Sequence, residues 1–259
     1  MTAALRRGVL FLALPVTLFV VWWFASAGST DFFLPPLSKI LAAFPPTWFG
    51  GRMVKDVLPS LARLSVGYLL ALVLGVAVGV VIGSVRVLRL LAEPVLEFLR
   101  AIPPPALVPI FLLVFGIDNT MKVLVIVSGC VWPVLLNTVA GVRSADEVLA
   151  DTCRSYGIGG RWRLYHFVLR SASPQIVTGA RQALSIGIIL MVISELKAAS
   201  QGLGFTVREF QTGFQIPEMW SGVLLLGIIG VLLSLLFRLV ERRVLTWYHG
   251  LRTAERSPQ

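Results

Sequence analysis

Residues 58–83 read LPSLARLSVGYLLALVLGVAVGVVIG, a nearly unbroken apolar stretch that is long enough to cross a lipid bilayer as one helix. Small residues recur along it at every fourth position: Gly67, Ala71, Gly75, Gly79 and Gly83. Because residues four apart share one face of a helix, this stripe predicts close packing against another helix rather than contact with a solute. A later apolar stretch repeats the pattern with Gly179, Ala183 and Gly187.

The rest of the chain has the same apolar character. Of its 259 residues 56% are hydrophobic and 14% are charged, which is more apolar than the core of a water-soluble protein of this size requires. The apolar runs do not alternate as the strands of a membrane barrel do. They predict spans at residues 8–27, 58–83, 101–117, 120–141, 175–196 and 219–240. We therefore expect an all-α integral membrane bundle of about six transmembrane helices, in one domain over residues 1–259.

The third span differs from the others in its proline content. It contains Pro103, Pro104, Pro105 and Pro109, and each proline removes a backbone donor from the helix. We expect this helix to start late or to bend there.

The placement of basic residues predicts the orientation of the chain. With the N-terminus in the cytoplasm, 16 of the 23 basic residues lie on the cytoplasmic side, and the outer side keeps Lys39, Arg52, Lys55, Arg63, Lys122, Lys197 and Arg208. This asymmetry favours cytoplasmic termini and explains the formal net charge of +10 without a nucleic-acid partner. Arg6, Arg7 and the small residues 25–27 also fit a secretory signal peptide, but the long apolar run between them favours an uncleaved first span.

The fifth span carries a polar face. Gln175, Thr178, Gln182 and Ser185 follow one another at helical spacing, so their side chains share one side of the helix. That face either lines a water-filled path or bonds to a neighbouring helix. The candidate residues for a translocation path are Thr178, Gln182, Ser185 and Glu195. For Glu195 the alternative is an ordinary position at the membrane interface, beside Lys197.

The longest cytoplasmic loop, residues 142–173, is patterned like folded structure. Ser144 followed three residues later by Glu147 is typical of a capping box at a helix start, and Gly157 is a natural helix end. After a glycine turn, residues 161–169 are expected to form a second short helix. An aromatic and apolar face beside arginines favours docking to a partner protein over DNA binding, since this helix pair is tied to the membrane at both ends.

This loop also carries a family signature. Asp151-Thr152-Cys153, three further residues and Gly157 resemble the EAAxxxG signature of ATP-binding-cassette (ABC) importer permeases. The spacing continues through Phe167, Val168 and Leu169, whereas Arg170 stands where the family has a proline. The departures from the signature are Asp for the acidic residue and Thr and Cys for the two alanines.

Three further stretches are similar to the nitrate, sulfonate, taurine and bicarbonate branch of that family. They are FLRAIPPPALVPIFLLVFGI at residues 98–117, SPQIVTGARQAL at residues 173–184, which includes Pro174, and SQGLGFTV at residues 200–207. The resemblance covers nearly the whole chain after Val57. It implies a type I importer permease fold with its core at about residues 58–240, in a bacterial plasma membrane.

The resemblance also implies partners and a mechanism. Two permease copies, as a homodimer, would form the path for a sulfonate, taurine, nitrate, bicarbonate or pyrimidine precursor. The coupling residues toward a cytoplasmic ATPase subunit, which would hold ATP and magnesium, are Asp151, Thr152, Cys153, Tyr156, Gly157 and Arg161. An external solute-binding protein would dock on the outer loops at residues 31–55 and 201–218.

Catalytic motifs are missing from the sequence. It contains no GxxxxGK[ST] phosphate loop, and neither His166 nor His249 stands in an HExxH or GxSxG pattern. Cys130 and Cys153 lack the spacing of metal ligands. We expect a non-enzymatic transport subunit with no cofactor or metal of its own. The alternatives are an ion-coupled secondary transporter, which usually needs buried ionisable residues in its spans, and an intramembrane enzyme, which needs a convergent catalytic pair.

Overall fold

A computed structural model describes the backbone of residues 3–248 and the side chains of residues 13–248, so His249 lies outside the described residues. Its elements are helical. They are α1 (Ala3–Ser26), α2 (Leu37–Trp48), α3 (Leu58–Ser84), α4 (Arg86–Arg100), α5 (Val108–Phe115), α6 (Asn119–Arg143), α7 (Glu147–Ser155), α8 (Gly160–Arg163), α9 (Leu169–Ala198), α10 (Leu203–Thr212) and α11 (Ile216–Val244).

Helices α3, α6, α9 and α11 are each long and apolar enough to cross a membrane. Their bounds agree with the predicted spans at residues 58–83, 120–141, 175–196 and 219–240, although α9 begins earlier than expected. Helix α1 has 24 residues and is therefore about 36 Å long, enough for a hydrocarbon layer of about 30 Å. The architecture is roughly consistent with the predicted bundle of about six spans.

The third predicted span is bent. Helices α4 and α5 meet at an angle of 78°, with a 3₁₀ turn at Pro104–Leu107 between them. Helix α5 has only eight residues, because the chain cannot form a regular helix through the run of prolines. The late start and the bend predicted for this span are confirmed.

The core is formed by α6 lying between α3 and α9. The stripe of small residues on α3 faces α6: a methyl group added at Gly67 would come within 2.8 Å of Ile126, and one added at Gly79 within 2.7 Å of Thr138. On the other side of α6, a methyl group at Gly179 would lie 2.5 Å from the carbonyl oxygen of Pro133. The absence of side chains at these points allows the three backbones to approach closely.

The start of α6 is set by a capping residue. The carboxylate of Asp118 accepts hydrogen bonds from the backbone N–H of Thr120 at 3.3 Å and from its hydroxyl at 2.8 Å. The bond from the hydroxyl is the main reason that the pKa of Asp118 is lowered from its usual value. Asp118 thus satisfies a backbone donor that the first turn of the helix leaves free.

The loop between α6 and α9 is shorter than predicted, and two of its details are corrected. Ser144 does not cap the following helix, because it ends α6 and donates its hydroxyl to the carbonyl of Gly141. The cap of α7 is Asp146, whose side chain accepts from the N–H of Leu149 at 3.0 Å. The second helix expected at residues 161–169 is not separate, since helical structure runs without a break from Gly160 to Ala198.

Candidate functional site

Helix α7 lies between the spans α6 and α9 and none of its residues is buried. Val148 is 74% exposed, and Tyr156, directly after the helix, is 80% exposed. Val148, Thr152 and Tyr156 are spaced four residues apart, and Leu149 adjoins the same side. Helix α7 therefore presents a mostly apolar face that nothing in the described part of the chain covers.

The end of α7 requires a glycine. Gly157 has a φ of 67°, a left-handed conformation that residues with a side chain rarely adopt. This turn lets the N–H of Ile158 donate to the carbonyl of Cys153 at 2.8 Å and that of Gly157 to Arg154 at 3.0 Å. The two bonds are those of a Schellman motif, which satisfies the last carbonyls of a helix and reverses the chain sharply.

Five of the six predicted coupling residues are on α7 and the turn that follows it, and the sixth, Arg161, is on α8. Asp151 forms an exposed ion pair with Arg154 at 2.5 Å, and the hydroxyl of Thr152 donates to the carbonyl of Val148 at 2.8 Å. Cys153 is half-buried, and Arg161 is exposed in the short helix α8. Apart from its pairing within the helix, this surface has no partner among the described residues that would fix its position.

The polar face of α9 is exposed. Gln175, Thr178, Gln182 and Ser185 all have exposed side chains, whereas Gly179, Ala183 and Gly187 on the same helix are buried against neighbouring helices. One contact crosses to α6, a hydrogen bond of 3.3 Å from the side-chain amide of Asn137 to Gln182. A polar stripe on a membrane span that the chain leaves uncovered is unusual, because polar side chains facing lipid are costly.

Glu195 is not on that exposed stripe. Its side chain is 0% exposed and forms an ion pair of 2.7 Å with Arg63, which is 5% exposed. The hydroxyl of Ser60 lies 2.7 Å and 2.8 Å from its two carboxylate oxygens, and the N–H of Gly204 donates to it at 3.0 Å. Glu195 is therefore a paired charge inside the bundle and does not lie at the surface beside Lys197.

The SQGLGFTV stretch forms the other wall of this buried site. A methyl group at Gly202, whose φ is 128°, would come within 2.6 Å of the Glu195 carboxylate, and one at Gly204 within 2.8 Å of the Glu195 β-carbon. The N–H groups of Gly202 and Leu203 donate to Asp56 at 3.3 Å and to Ser60 at 2.9 Å. The two glycines thus let the start of α10 wrap closely around the buried carboxylate.

We call this group, Asp56, Ser60, Arg63, Glu195 and Gly202–Gly204, the outer anchor, after the side of the membrane on which the sequence predicts Arg63 to lie. The sequence drew attention to Glu195 and to the SQGLGFTV stretch but not to their contact, because Arg63 and Lys122 were placed on the outer side without partners and Ser60 was not singled out. Arg63 and Lys122 are only 5% and 4% exposed, so these basic side chains lie inside the bundle and not at its surface. The available signal was the spacing of three between Ser60 and Arg63, which puts both on one side of α3.

The histidine and cysteine side chains of the described residues form no metal site. No cluster of three or more His, Cys, Asp or Glu side chains there is arranged to hold a metal ion. His166 stacks on Trp162 with 4.8 Å between ring centroids, Cys130 is buried, and Cys153 is a free thiol.

Comparison with known proteins places these features in context. A family model for the inner membrane component of binding-protein-dependent transport systems matches residues 71–246. The taurine transport system permease protein TauC of Escherichia coli (strain K12) is 31% identical over 252 residues, which cover 95% of this chain and 91% of TauC. The putative aliphatic sulfonates transport permease protein SsuC of Bacillus subtilis (strain 168) is 30% identical over 214 residues, covering 83% of this chain and 78% of SsuC.

Two further similarities are more distant. The bicarbonate transport system permease protein CmpB of Synechococcus elongatus is 28% identical over 239 residues, covering 88% of this chain and 86% of CmpB. A crystal structure of an amino acid ABC transporter with histidines has a similar fold, with a TM-score of 0.58 and 18% identity, covering 83% of this chain and 99% of that chain. At this level of identity the solved structure establishes the fold alone.

Proposed function

The chain belongs to the family of binding-protein-dependent transport system inner membrane components, the permeases of ABC importers, and on this premise we propose that it forms half of a translocation path and couples to a separate ATPase subunit through α7. The observation that carries the proposal is the exposed apolar face of α7. A helix that protrudes from the spans with no buried residue has little reason to stay ordered unless another protein covers it.

The coupling surface consists of Asp151, Thr152, Cys153, Tyr156, Gly157 and Arg161. Tyr156 and the apolar side of α7 insert into a groove of the ATPase subunit, and the Schellman turn at Gly157 fixes the angle between α7 and the helix that begins at Gly160. Because that helix continues without a break into span α9, a displacement of α7 is passed directly to the span that carries the polar stripe. ATP and magnesium are held by the partner and not by this chain.

The path itself lies between two copies of the chain. Thr178, Gln182 and Ser185 contact the solute or its water, because two permease copies facing each other would enclose their exposed polar stripes. Glu195 lies at the outer end of the path and does not touch the solute. Its carboxylate holds the backbone at Gly204 in place. The termini lie in the cytoplasm, and a solute-binding protein docks on residues 31–55 and 201–218 at the opposite side.

The proposed solute is a small anion or zwitterion of the sulfonate, taurine or bicarbonate kind. This class follows from the names of the relatives, which cover most of the chain at about 30% identity. No side chain described in this structure distinguishes among these solutes, and in such importers the binding protein selects the solute.

Cys153 offers a direct test of the coupling surface. The chain has two cysteines, and the other one, Cys130, is 0% exposed, so a thiol-directed cross-linker added to the unmodified chain reports on α7. When the chain is co-expressed with an ABC-type ATPase subunit and a solute-binding protein, we expect a cross-link from Cys153 to the ATPase subunit that is lost in Cys153→Ser. A complex that forms without this cross-link would contradict the assignment of α7.

Uptake in proteoliposomes tests the mechanism. We expect uptake of labelled taurine, sulfonate or bicarbonate only when the ATPase subunit, ATP and the binding protein are all present. Uptake that continues without the ATPase subunit and follows an ion gradient would support the ion-coupled secondary transporter instead. The buried Glu195 does not favour that alternative, because its carboxylate is already paired with Arg63 and hydrogen-bonded to Ser60 and Gly204.

A further inference from the structure

A cavity that contains two charged side chains, Glu147 and Arg163, lies behind α7, on the side that faces the spans. It has a volume of about 380 Å³, which is within the range of small-molecule sites. Its walls come from the last turns of α3 and α6 at Ser84 and Val142, from Glu147 on α7, and from Arg163 and Phe167 at the start of the long helix that leads into α9. The cavity therefore joins α7 to the ends of three spans.

One polar atom in this cavity wall has no partner. The Nε atom of Arg163 is buried and makes no hydrogen bond, and Arg163 takes part in no ion pair within the described part of the chain. An unsatisfied buried donor costs about 1–3 kcal/mol, and more when the group is charged, so such atoms usually mark a bound water, ion or ligand. The natural partner of a guanidinium group is a phosphate or another oxyanion.

The cavity also contains a charge of the opposite sign. Glu147 lines it, and no ion pair joins Glu147 to Arg163, so each of the two charges is available to a ligand. A ligand that fits both carries a negative and a positive group. The position at the ends of α3 and α6 is the depth at which the headgroups of membrane lipids lie.

We propose that this cavity binds the headgroup of a zwitterionic, amine-bearing phospholipid, with its phosphodiester toward Arg163 and its ammonium group toward Glu147. A lipid held there contacts both α7 and the start of the helix leading into α9, and it stabilises the position of α7 relative to the spans. The inference goes beyond the proposed transport function and does not depend on it.

Hydrogen–deuterium exchange of the purified full chain in nanodiscs tests this. Three lipid compositions separate the chemistry: phosphatidylethanolamine, which has an ammonium group; phosphatidylcholine, whose nitrogen has no N–H donor; and phosphatidylglycerol, which has a phosphate but no amine. We expect amide exchange in residues 147–155 to be slower by about threefold or more in phosphatidylethanolamine than in the other two, because a bound headgroup suppresses local opening of α7.

Matched variants assign the effect to the cavity. Arg163→Gln should abolish the difference between lipids, whereas Arg170→Gln should retain it, since Arg170 is an exposed arginine on the same helical stretch that does not line the cavity. Glu147→Gln should remove the preference for phosphatidylethanolamine over phosphatidylglycerol. Circular dichroism checks that each variant is folded.

Several outcomes would overturn the proposal. Equal exchange in all three lipids means that the cavity holds only water. Equal slowing by phosphatidylglycerol in the unmodified chain means a phosphate site in which Glu147 has no part. Slowing by inorganic phosphate in phosphatidylcholine nanodiscs identifies a soluble anion as the ligand instead of a lipid. The measurement uses the chain alone, so none of these results depends on the transported solute or on the ATPase subunit.

Discussion

Two short helices at opposite ends of span α9 are held in different ways. Helix α10 follows the end of α9, and four of its residues are buried: Leu203, Gly204, Thr206 and Phe210. Helix α7 precedes the start of the helix that leads into α9, has no buried residue and is capped by its own neighbour Asp146. The chain itself thus fixes the position of α10, whereas no buried residue of α7 fixes the position of that helix.

The ion pairs of the two regions show the same difference. The pair between Arg63 and Glu195 is enclosed, and breaking such a pair by removing one partner typically costs about 3–5 kcal/mol. The pair between Asp151 and Arg154 on α7 is exposed, and pairs of that kind contribute about 0–1 kcal/mol. The outer anchor therefore acts as part of the core, while the exposed charges of α7 contribute little to stability.

The largest expected effect is that of Glu195→Ala. It leaves the Arg63 guanidinium buried without its counter-charge and removes the acceptor of Ser60 and Gly204, so we expect a loss of about 3–5 kcal/mol of stability. Thermal unfolding in detergent measures it. The control is Glu209→Ala, which removes the exposed pair with Arg52 and should cost less than about 1 kcal/mol. Equal effects of the two substitutions would mean that α10 is not held by the outer anchor.

The second-largest effect on stability is expected for Gly204→Ala. Its methyl group would lie 2.6 Å from the carbonyl oxygen of Val192 and 2.8 Å from the Glu195 β-carbon, so the start of α10 must shift, at a cost of about 1–3 kcal/mol. Gly227→Ala is the matched control, because no atom lies within 4 Å of a methyl group there. Thermal unfolding should show a lower midpoint for Gly204→Ala and an unchanged or higher one for Gly227→Ala. If Gly204→Ala leaves the unfolding midpoint unchanged, then the stability of the protein does not depend on the close approach of α10 to Glu195.

On α7 we expect a smaller and local effect from Asp146→Ala. Removing the cap leaves the N–H of Leu149 without its acceptor and costs about 1 kcal/mol of helix stability. Hydrogen exchange in residues 147–155 should become about fivefold faster, while exchange in α10 and the midpoint of global unfolding stay unchanged. Asp151→Ala, which caps nothing, serves as the control. A fall in global stability with Asp146→Ala would mean that α7 is part of the core.

The smallest effect on stability belongs to Tyr156→Ser. The side chain is 80% exposed, so its replacement should change stability by less than about 0.5 kcal/mol. If α7 docks on an ATPase subunit, the same substitution should greatly reduce co-purification of that subunit, since a large aromatic side chain at the centre of an interface contributes strongly to binding. Unchanged co-purification would indicate that the partner contacts another part of the chain.

The sequence predicted correctly those features that depend on interactions between residues close together in the chain. The spans were predictable because burial in lipid depends on the summed hydropathy of about 20 consecutive residues, which is a local property. The bend before α5 was also local, because prolines act on their own helix. The predicted start of α7 was wrong because Ser144 and Asp146 are both residues that cap helices well. Helix α6 continues to Arg143, so Ser144 ends α6 and Asp146 caps α7.

The outer anchor could not be derived from the sequence in the same way. Ser60 and Glu195 are far apart along the chain, and a glutamate near a lysine at the end of a span also fits an ordinary interfacial position. No feature of the neighbouring sequence distinguishes an interfacial glutamate from a glutamate in a buried ion pair. Gly202 and Gly204 belong to a stretch that resembles the family, but the reason for glycine at these positions appears only in three dimensions. A methyl group at Gly202 would lie 2.6 Å from the Glu195 carboxylate, and one at Gly204 would lie 2.8 Å from the Glu195 β-carbon.

The sequence by itself determined that this chain spans a membrane, where its main helices run, and that its loop between α6 and α9 resembles the coupling loop of importer permeases. These properties depend on hydropathy, proline positions and a short motif, all of which are readable along the chain. Only the tertiary structure decided that Glu195 is buried against Arg63, that α7 is left uncovered and that a cavity lined by Glu147 and Arg163 lies behind it. Those facts depend on which side chains from distant spans come into contact. The interaction energy between two such charges is large because the dielectric constant inside the bundle is low.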